Sequence, residues 1–320
     1  MASFLFLLLG IALNLFKMKK IALWAMICAA GLTASSQSNV STNTLLWRIS
    51  GNNLSKPSYL FGTIHLLCAN DIELSETLKT AIKETDKVYL ELDMDNLFEM
   101  MQAVQKMKMR NDTTLSDLLS ESDYKKVKAF FTSKSSMIPF SILETYKPML
   151  AASMIMQTST DCDNAISMEQ IIMQQAKQDR KEIKGMETMT YQLSIFDSIP
   201  YEVQAKQLLA FITENDTEDK ASKEYEEMAS AYRNQELSKL EMLINKEEFG
   251  VGNFADLLLY NRNRNWVVSM GKIFSANSAV IAVGAGHLPG EKGVINLLRK
   301  AGYKVDPMEN KMLKTNQREL

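Results

Sequence analysis

The order of hydrophobic and polar positions predicts a chain that begins with strands and then alternates strand and helix. Apolar runs at 45–50 and 59–64 flank a turn-forming Gly-Asn-Asn, which indicates a β-hairpin. Residues 73–86 place apolar side chains at helical spacing. Residues 87–94 alternate strictly, so one face of this strand is expected to be apolar and the other polar. Strand, helix and strand in this order predict a βαβ unit.

Most of the remaining chain has helical periodicity. The region from about 97 to 275 is predicted to be a large helical insertion, interrupted by one strand near 181–187. An apolar strand at 280–283, a helix at 291–300 and a strand at 303–305 predict a second βαβ unit. The pattern therefore predicts an α/β fold: a central mixed sheet flanked by helices, with two βαβ-type halves and the helical insertion between them.

The chain has only two histidines, and both end the same local pattern. His65 and His287 each follow an apolar strand and complete a Gly-x-x-His motif. We expect the glycine to let the backbone bend at the strand tip and deliver the histidine. A lone histidine at a strand end is more often a hydrogen-bonded structural residue. The repeated pattern instead predicts that the two meet, and paired imidazoles indicate a metal.

Two carboxylates are predicted at the same edge of the sheet. Glu91 lies near the end of the alternating strand, and Glu187 ends the strand inside the helical insertion. Right-handed βαβ connections bring the carboxyl ends of parallel strands to one edge, where open α/β sheets bind ligands. We therefore expect both carboxylates to converge there with His65 and His287. Taken alone, either carboxylate could equally belong to a solvated strand face.

Composition excludes several functional classes. The 320 residues are 46% hydrophobic and 23% charged with a formal net charge of −2, so the chain has no overall electrostatic attraction for nucleic acid, and no local run interleaves basic with aromatic residues. The sequence lacks His-Glu-x-x-His and Gly-x-Ser-x-Gly, and its glycine loop at 284–290 departs from dinucleotide-binding spacing. Its 21 methionines could suggest copper binding, but adaptable core packing explains them better.

The N-terminus has the pattern of a targeting segment. Met18-Lys-Lys precedes an apolar run at 21–30 and small residues up to Ser36, the three regions of a secretory signal. We expect residues 1–36 to be this segment and 37–320 to form a single domain in the periplasm or outside the cell. A second apolar run within 1–17 leaves an uncleaved N-terminal anchor as the alternative, and as the chain's contact with a membrane.

Export would leave Cys68 and Cys162 in an oxidising compartment, where two such cysteines are expected to pair. Neither belongs to a Cys-x-x-Cys motif, which argues against redox catalysis and a zinc knuckle. We expect a structural disulfide that fixes the loop after His65 against the helical insertion.

Five short motifs occur in one order along the chain. They are Gly-Thr-Ile-His at 62–65, Glu-Leu-Asp at 91–93, Gly-Met-Glu-Thr at 185–188, Arg-Asn at 262–263 and Gly-Ala-Gly-His at 284–287. Together they resemble the TraB/GumN family, which includes the Tiki proteases, over nearly the whole mature chain. The resemblance implies a metallohydrolase whose marked residues are the two Gly-x-x-His motifs, a glutamate and an arginine. It also implies secreted or membrane-presented substrates.

The residue types independently support metal chemistry. Two neutral imidazoles with one or two carboxylates suit Mn²⁺, Co²⁺, Zn²⁺ or Fe²⁺. We expect His65, His287 and Glu91 to bind the ion. Glu91 or Glu187 can accept a proton from water beside the metal, and Arg262 can pair with a substrate carboxylate or a developing oxyanion.

The predicted function is an exported metal-dependent hydrolase, best described as a peptidase acting on a peptide or protein. The alternative is a non-catalytic exported protein that binds a metal, haem or a peptide with the same residues. Arg262 could then be an ordinary ion-pairing residue on a helix surface. The two classes differ at Glu91, because an enzyme needs a base beside the metal and a binding protein does not.

Overall fold

A computed structural model describes most of the chain from residue 43 to residue 312. The described ranges are 43–69, 73–133, 138–158, 165–214, 218–245 and 254–312. The predicted targeting segment at 1–36 and Cys162 lie outside them, so cleavage of the segment and the Cys68–Cys162 bond stay predictions. Within these ranges, no helix combines the length and apolar character needed to span a membrane.

A six-stranded mixed sheet forms the centre of the molecule. The strands are β1 (Leu46–Ser50), β2 (Ser58–Thr63), β3 (Leu67–Cys68), β4 (Lys87–Leu92), β5 (Ala165–Ile166), β6 (Glu182–Glu187), β7 (Ala279–Gly284) and β8 (Lys304–Pro307). The large sheet has the order β6-β4-β7-β2-β1-β8, and β3 pairs with β5 in a small separate sheet. The predicted α/β class with a central mixed sheet is confirmed.

Parallel pairing brings the ends of four strands to one edge. β1 and β2 form the predicted antiparallel hairpin, while β7 pairs in parallel with both β2 and β4, and β4 pairs in parallel with β6. The strands of the first βαβ unit, β2 and β4, are therefore separated by β7 rather than adjacent. The carboxyl ends of β2, β7, β4 and β6 consequently lie side by side.

Helices cover the sheet and make up most of the chain segments that connect its strands. They are α1 (Glu76–Glu84), α2 (Leu97–Lys106), α3 (Leu115–Leu118), α4 (Glu121–Ser133), α5 (Phe140–Leu143), α6 (Pro148–Thr158), α7 (Met168–Gln178), α8 (Met189–Phe196), α9 (Tyr201–Glu214), α10 (Glu218–Arg233), α11 (Leu237–Ile244), α12 (Asn261–Ala276) and α13 (Val294–Lys300). A π-helical turn, Asp256–Tyr260, leads into α12, and a 3-10 turn, Ala285–His287, follows β7.

The first helix shows how the local sequence produces these elements. The Ser75 side chain accepts a hydrogen bond from the Leu78 backbone amide and so caps α1. Leu78, Ala81 and Ile82 repeat at helical spacing and are buried against the sheet. The helix predicted from the apolar period at 73–86 is present as Glu76–Glu84.

Of the two alternatives left open for the polar face of β4, the solvated face is wrong. Its predicted polar face contains Tyr89 and Glu91, yet both side chains are buried. β4 lies between β6 and β7, and strands in the middle of parallel sheets are covered on both faces. Burial of Glu91 therefore requires a charged or hydrogen-bonding partner inside the protein.

A buried ion pair stabilises the helical region away from the sheet edge. Lys147, 1% exposed, places its Nζ 2.9 Å from Asp197 Oδ1 and donates to the Leu193 carbonyl at 2.7 Å. Burial lowers the pKa of Lys147, although the Asp197 carboxylate opposes that shift. The same carboxylate lies 3.1 Å from Nη2 of the exposed Arg110.

We predict that Asp197→Ala lowers the free energy of unfolding by about 3–5 kcal/mol, because it leaves the buried Lys147 ammonium without a counter-charge. Arg110→Ala removes an exposed partner of the same carboxylate and should cost at most about 1 kcal/mol. Urea denaturation of the parent and both variants measures the two values. Equal losses would show that Asp197 does not compensate the charge of Lys147.

Candidate active site

The carboxyl edge of the sheet collects the predicted site residues. Glu91 is the penultimate residue of β4, and Glu187 is the last residue of β6. His65 follows the end of β2 by two residues, and His287 closes the 3-10 turn after β7. The parallel register of these four strands places all four side chains along one edge.

Arg262 reaches this edge from α12. The π-helical turn before α12 shifts the backbone hydrogen bonding, and Arg262 Nη1 donates to the Leu258 carbonyl inside that turn at 2.9 Å. The guanidinium also lies over the Trp266 ring, 4.6 Å from its centre. Arg262 is 7% exposed, so the expectation that it could be a helix-surface residue is wrong.

Arg262 lies between the two predicted carboxylates. Its Nη2 donates to Glu91 Oε2 at 2.6 Å and to Glu187 Oε1 at 2.5 Å, and its Nε donates to the same Glu187 oxygen at 2.8 Å. The indole N–H of Trp266 donates to Glu187 Oε2 at 3.0 Å. Both carboxylates are thus held by charge-assisted hydrogen bonds in a buried environment.

Glu91 has further donors that keep it ionised. The Gly284 backbone amide donates to Oε1 at 2.8 Å, and Gln192 Nε2 donates to Oε2 at 3.0 Å. Burial is the largest single influence and would raise the pKa of Glu91, but the Arg262 charge, the two histidines and the Gly284 amide together hold the pKa well below its usual range. For Glu187, burial prevails and raises the pKa. The low pKa makes Glu91 a weak base and a stable anion.

His287 is held as a neutral imidazole. Its Nδ1 lies 2.6 Å from Asn263 Oδ1, and Asn263 Nδ2 donates to the Lys292 carbonyl at 2.9 Å. Because the amide nitrogen is used there, Asn263 Oδ1 accepts and His287 Nδ1 carries the proton. Burial and the nearby Arg262 charge lower the pKa of His287 to about 3. Its Nε2 lies 3.7 Å from Glu91 Oε1.

His65 is oriented by a different partner. Its Nδ1 lies 2.8 Å from Glu169 Oε1, which also accepts from the Thr63 hydroxyl at 2.5 Å. Burial opposes the charged form of His65, but the Glu169 carboxylate outweighs it and raises the pKa, with a smaller contribution from Glu91. His65 therefore lies close enough to Glu91 for that carboxylate to raise its pKa.

The structure adds residues that the sequence did not indicate. Glu169, Gln192 and Trp266 hold His65, Glu91 and Glu187 from helices distant in the chain. Their positions carry no local signal, since each appears in the sequence as an ordinary helical residue. Asn263 was visible as part of the Arg-Asn pair, but its role as the partner of His287 was not.

Neither glycine that begins a Gly-x-x-His motif adopts the predicted bend, and Gly62 instead provides space. Gly62 lies within the extended strand β2, and Gly284 has φ −49°, so neither uses the left-handed conformation open to glycine. A Cβ on Gly62 would lie 3.1 Å from Ala285 Cα and 3.0 Å from Leu288 Cδ2. The missing side chain lets the segment that carries His287 approach β2.

The donors at this edge fit a divalent cation in chemistry and partly in spacing. Among the residues that the structure describes, no three His, Cys, Asp or Glu side chains form an assembled metal-binding group. The 3.7 Å between His287 Nε2 and Glu91 Oε1 still suits two ligands of one ion, whose separation can reach about 4.2 Å. Both histidines commit Nδ1 to an oxygen, as metal-binding histidines do. Arg262 Nη1, 3.2 Å from His287 Nε2, would then have to donate elsewhere.

Comparison with known proteins gives one match. The model of the TraB/PrgY/gumN family matches residues 45–307, most of the chain, which confirms the resemblance carried by the five motifs. Searches of curated proteins and of solved structures found no match.

We predict that Gly62→Ala lowers the free energy of unfolding by about 1–3 kcal/mol, because the added methyl overpacks the contact with Ala285. Gly271→Ala is the matched control. It lies within α12, where the nearest heavy atom to an added Cβ, the Tyr303 hydroxyl oxygen, is 3.6 Å away, so it should stabilise by about 0.5–1 kcal/mol. Urea denaturation measures both changes, and a shift of the same sign in both would contradict the packing explanation.

Proposed function

This chain belongs to the TraB/PrgY/gumN family, and from that premise we propose that it is an exported metal-dependent hydrolase whose substrates are peptides or proteins. The observation that carries this proposal is the pairing of a neutral imidazole with an ionised carboxylate, His287 Nε2 and Glu91 Oε1, 3.7 Å apart in a buried site. Metal ligands must be unprotonated, and the surroundings hold both groups in that form.

We assign the cation to His65, His287 and Glu91. Two imidazoles and one carboxylate suit Mn²⁺, Co²⁺, Zn²⁺ or Fe²⁺ and leave coordination positions for water and substrate. When bound, the cation would lower the pKa of a water and polarise a substrate carbonyl. Its presence would also add to the Arg262 charge that keeps Glu91 ionised.

The remaining residues hold charge and orientation around the reacting carbonyl. Arg262 is a fixed cation at the sheet edge, and each of its five N–H groups already has an acceptor. A substrate carboxylate or a developing oxyanion would take the Nη1–H that now faces His287 Nε2, which a cation bound to that nitrogen would release. Glu187 accepts from both Arg262 and Trp266, so it positions the guanidinium. The depressed pKa of Glu91 favours a role as ligand over a role as general base.

Export is part of the same assignment and rests on the N-terminal pattern. A basic start, an apolar run and small residues up to Ser36 fit a secretory signal, with an uncleaved anchor as the alternative. Export would also allow Cys68 and Cys162 to pair. We place the protein in the periplasm or outside the cell, where exported peptides and proteins are the available substrates.

We predict that His65→Ala and His287→Ala each abolish stoichiometric metal binding, because each removes one of the two imidazole ligands. Elemental analysis of purified protein, incubated with Mn²⁺, Co²⁺, Zn²⁺ or Fe²⁺ in turn and then desalted, measures the occupancy. Glu182→Gln is the control: Glu182 is an exposed carboxylate on β6 whose partners are Lys87 and Lys184. Full occupancy in both histidine variants would rule out this metal site.

We predict that Glu91→Gln lowers the rate of peptide hydrolysis by about a hundredfold or more, because it removes the buried negative charge beside His287. A peptide-library cleavage assay, with and without chelator, measures the rate, and Glu182→Gln should cleave like the parent. Loss of both metal and rate assigns Glu91 as a ligand, whereas loss of rate alone assigns it as the base.

Two outcomes of this assay would overturn the assignment. If Glu91→Gln cleaves as fast as the parent, Glu91 is structural and the base lies elsewhere. If the parent cleaves no peptide with any of the four metals, the chain is the alternative, a non-catalytic exported protein that binds a metal, haem or a peptide.

A further inference from the structure

The loop that carries His65 is bound along its length to the start of α7. The Met168 amide donates to the Ile64 carbonyl at 3.0 Å, and β3 pairs with β5 directly after His65. Glu169 is the second residue of α7, so these backbone contacts bring its side chain against the histidine. The predicted Cys68–Cys162 bond would strengthen the same connection, because Cys68 lies opposite Ala165 in this pair.

The start of α7 is itself well defined. The Ser167 hydroxyl caps the helix by accepting from the Gln170 amide. The Gln170 side-chain oxygen in turn accepts from the Ser167 amide. A carboxylate in the first turn is also favoured by the positive end of the helix dipole. Glu169 is thus presented by a capped helix end, rather than by a mobile surface loop.

A single carboxylate oxygen of Glu169 contacts both His65 and Thr63. Oε1 lies 2.8 Å from His65 Nδ1 and accepts from the Thr63 hydroxyl at 2.5 Å. A carboxylate can only accept, so Nδ1 must carry a proton. In the neutral imidazole, Nε2 is then left with its lone pair available to a ligand.

The other oxygen shows that this arrangement has a cost. Glu169 Oε2 is buried, and among the described residues it has no hydrogen-bond partner. Buried polar atoms without partners destabilise a fold and are uncommon. Among these residues, the contacts of the Glu169 carboxylate are therefore those made through Oε1.

From this geometry we propose that Glu169 is the positioning residue of His65: it fixes the imidazole as the Nδ1–H tautomer and so leaves Nε2 unprotonated. The role deepens the proposed function, on which it rests, because Nε2 is the atom assigned to bind the metal. Asn263 does the same for His287, so the two Gly-x-x-His motifs are completed by one acceptor each, from α7 and from α12.

The test uses ¹⁵N-histidine NMR of the full chain without metal, at an alkaline pH where both imidazoles are neutral. With only two histidines, His287→Gln assigns the ring nitrogens of His65 directly. In the parent, His65 should show a protonated Nδ1 and an unprotonated Nε2. A parent His65 in the Nε2–H form overturns the proposal without any change at Glu169.

Two variants then test whether Glu169 determines the tautomer of His65. Glu169→Leu should release His65 to the Nε2–H form that free imidazole side chains favour in water. Thr63→Val removes the other donor to the same oxygen, keeps the carboxylate, and should leave the Nδ1–H form in place. An unchanged tautomer in Glu169→Leu, or a loss in Thr63→Val as large as in Glu169→Leu, contradicts the assignment to Glu169.

Metal affinity provides a second readout that separates this proposal from the proposed function. If His65 binds the cation, Glu169→Leu should weaken it about 10- to 100-fold, measured by competition with a chelating indicator. If the parent binds none of the four metals, the metal assignment fails while the tautomer measurement still decides the role of Glu169. Unchanged affinity in a metal-binding parent would contradict the positioning role.

Discussion

The buried guanidinium of Arg262 is the interaction on which this edge of the sheet depends. It lies between Glu91 and Glu187, each of which would otherwise place a carboxylate without a counter-charge in a buried position. Removing one partner of a buried ion pair is far more costly than losing a surface pair, so these three side chains stabilise the edge only as a set. Trp266 completes the set, with its ring against the guanidinium and its indole N–H on Glu187.

The same positive charge contributes to the protonation of its neighbours. With the two histidines and the Gly284 amide it keeps Glu91 ionised in spite of burial, and it adds to the burial that keeps His287 neutral. A neutral imidazole and a carboxylate therefore face each other in a site largely closed to water. An unprotonated imidazole and a carboxylate are the forms in which these side chains can bind a cation.

The two histidines are held by different helices, and the pairing of β2 with β7 brings them to one edge. His287 is held by α12 through Asn263, while His65 is held by α7 through Glu169. β7 pairs with β2 on one side and with β4 on the other, so the loops after these strands meet at one edge. The close approach at Gly62 is the packing consequence, because a side chain there would push the segment after β7 away.

Local pattern alone determined the α/β class, the hairpin, the order strand–helix–strand at both ends of the domain, and the strand tips that carry His65, Glu91, Glu187 and His287. Periodicity and turn residues are properties of neighbouring positions, which is why the sequence shows them. Tertiary structure decided the insertion of β7 between β2 and β4, the burial of both faces of β4 and the place of Arg262 between two carboxylates. It also supplied Glu169, 106 positions from Thr63 in the chain, as the partner of the His65 loop. Such contacts depend on how separate elements pack, and a single sequence carries no local signal for a partner that only folding brings near.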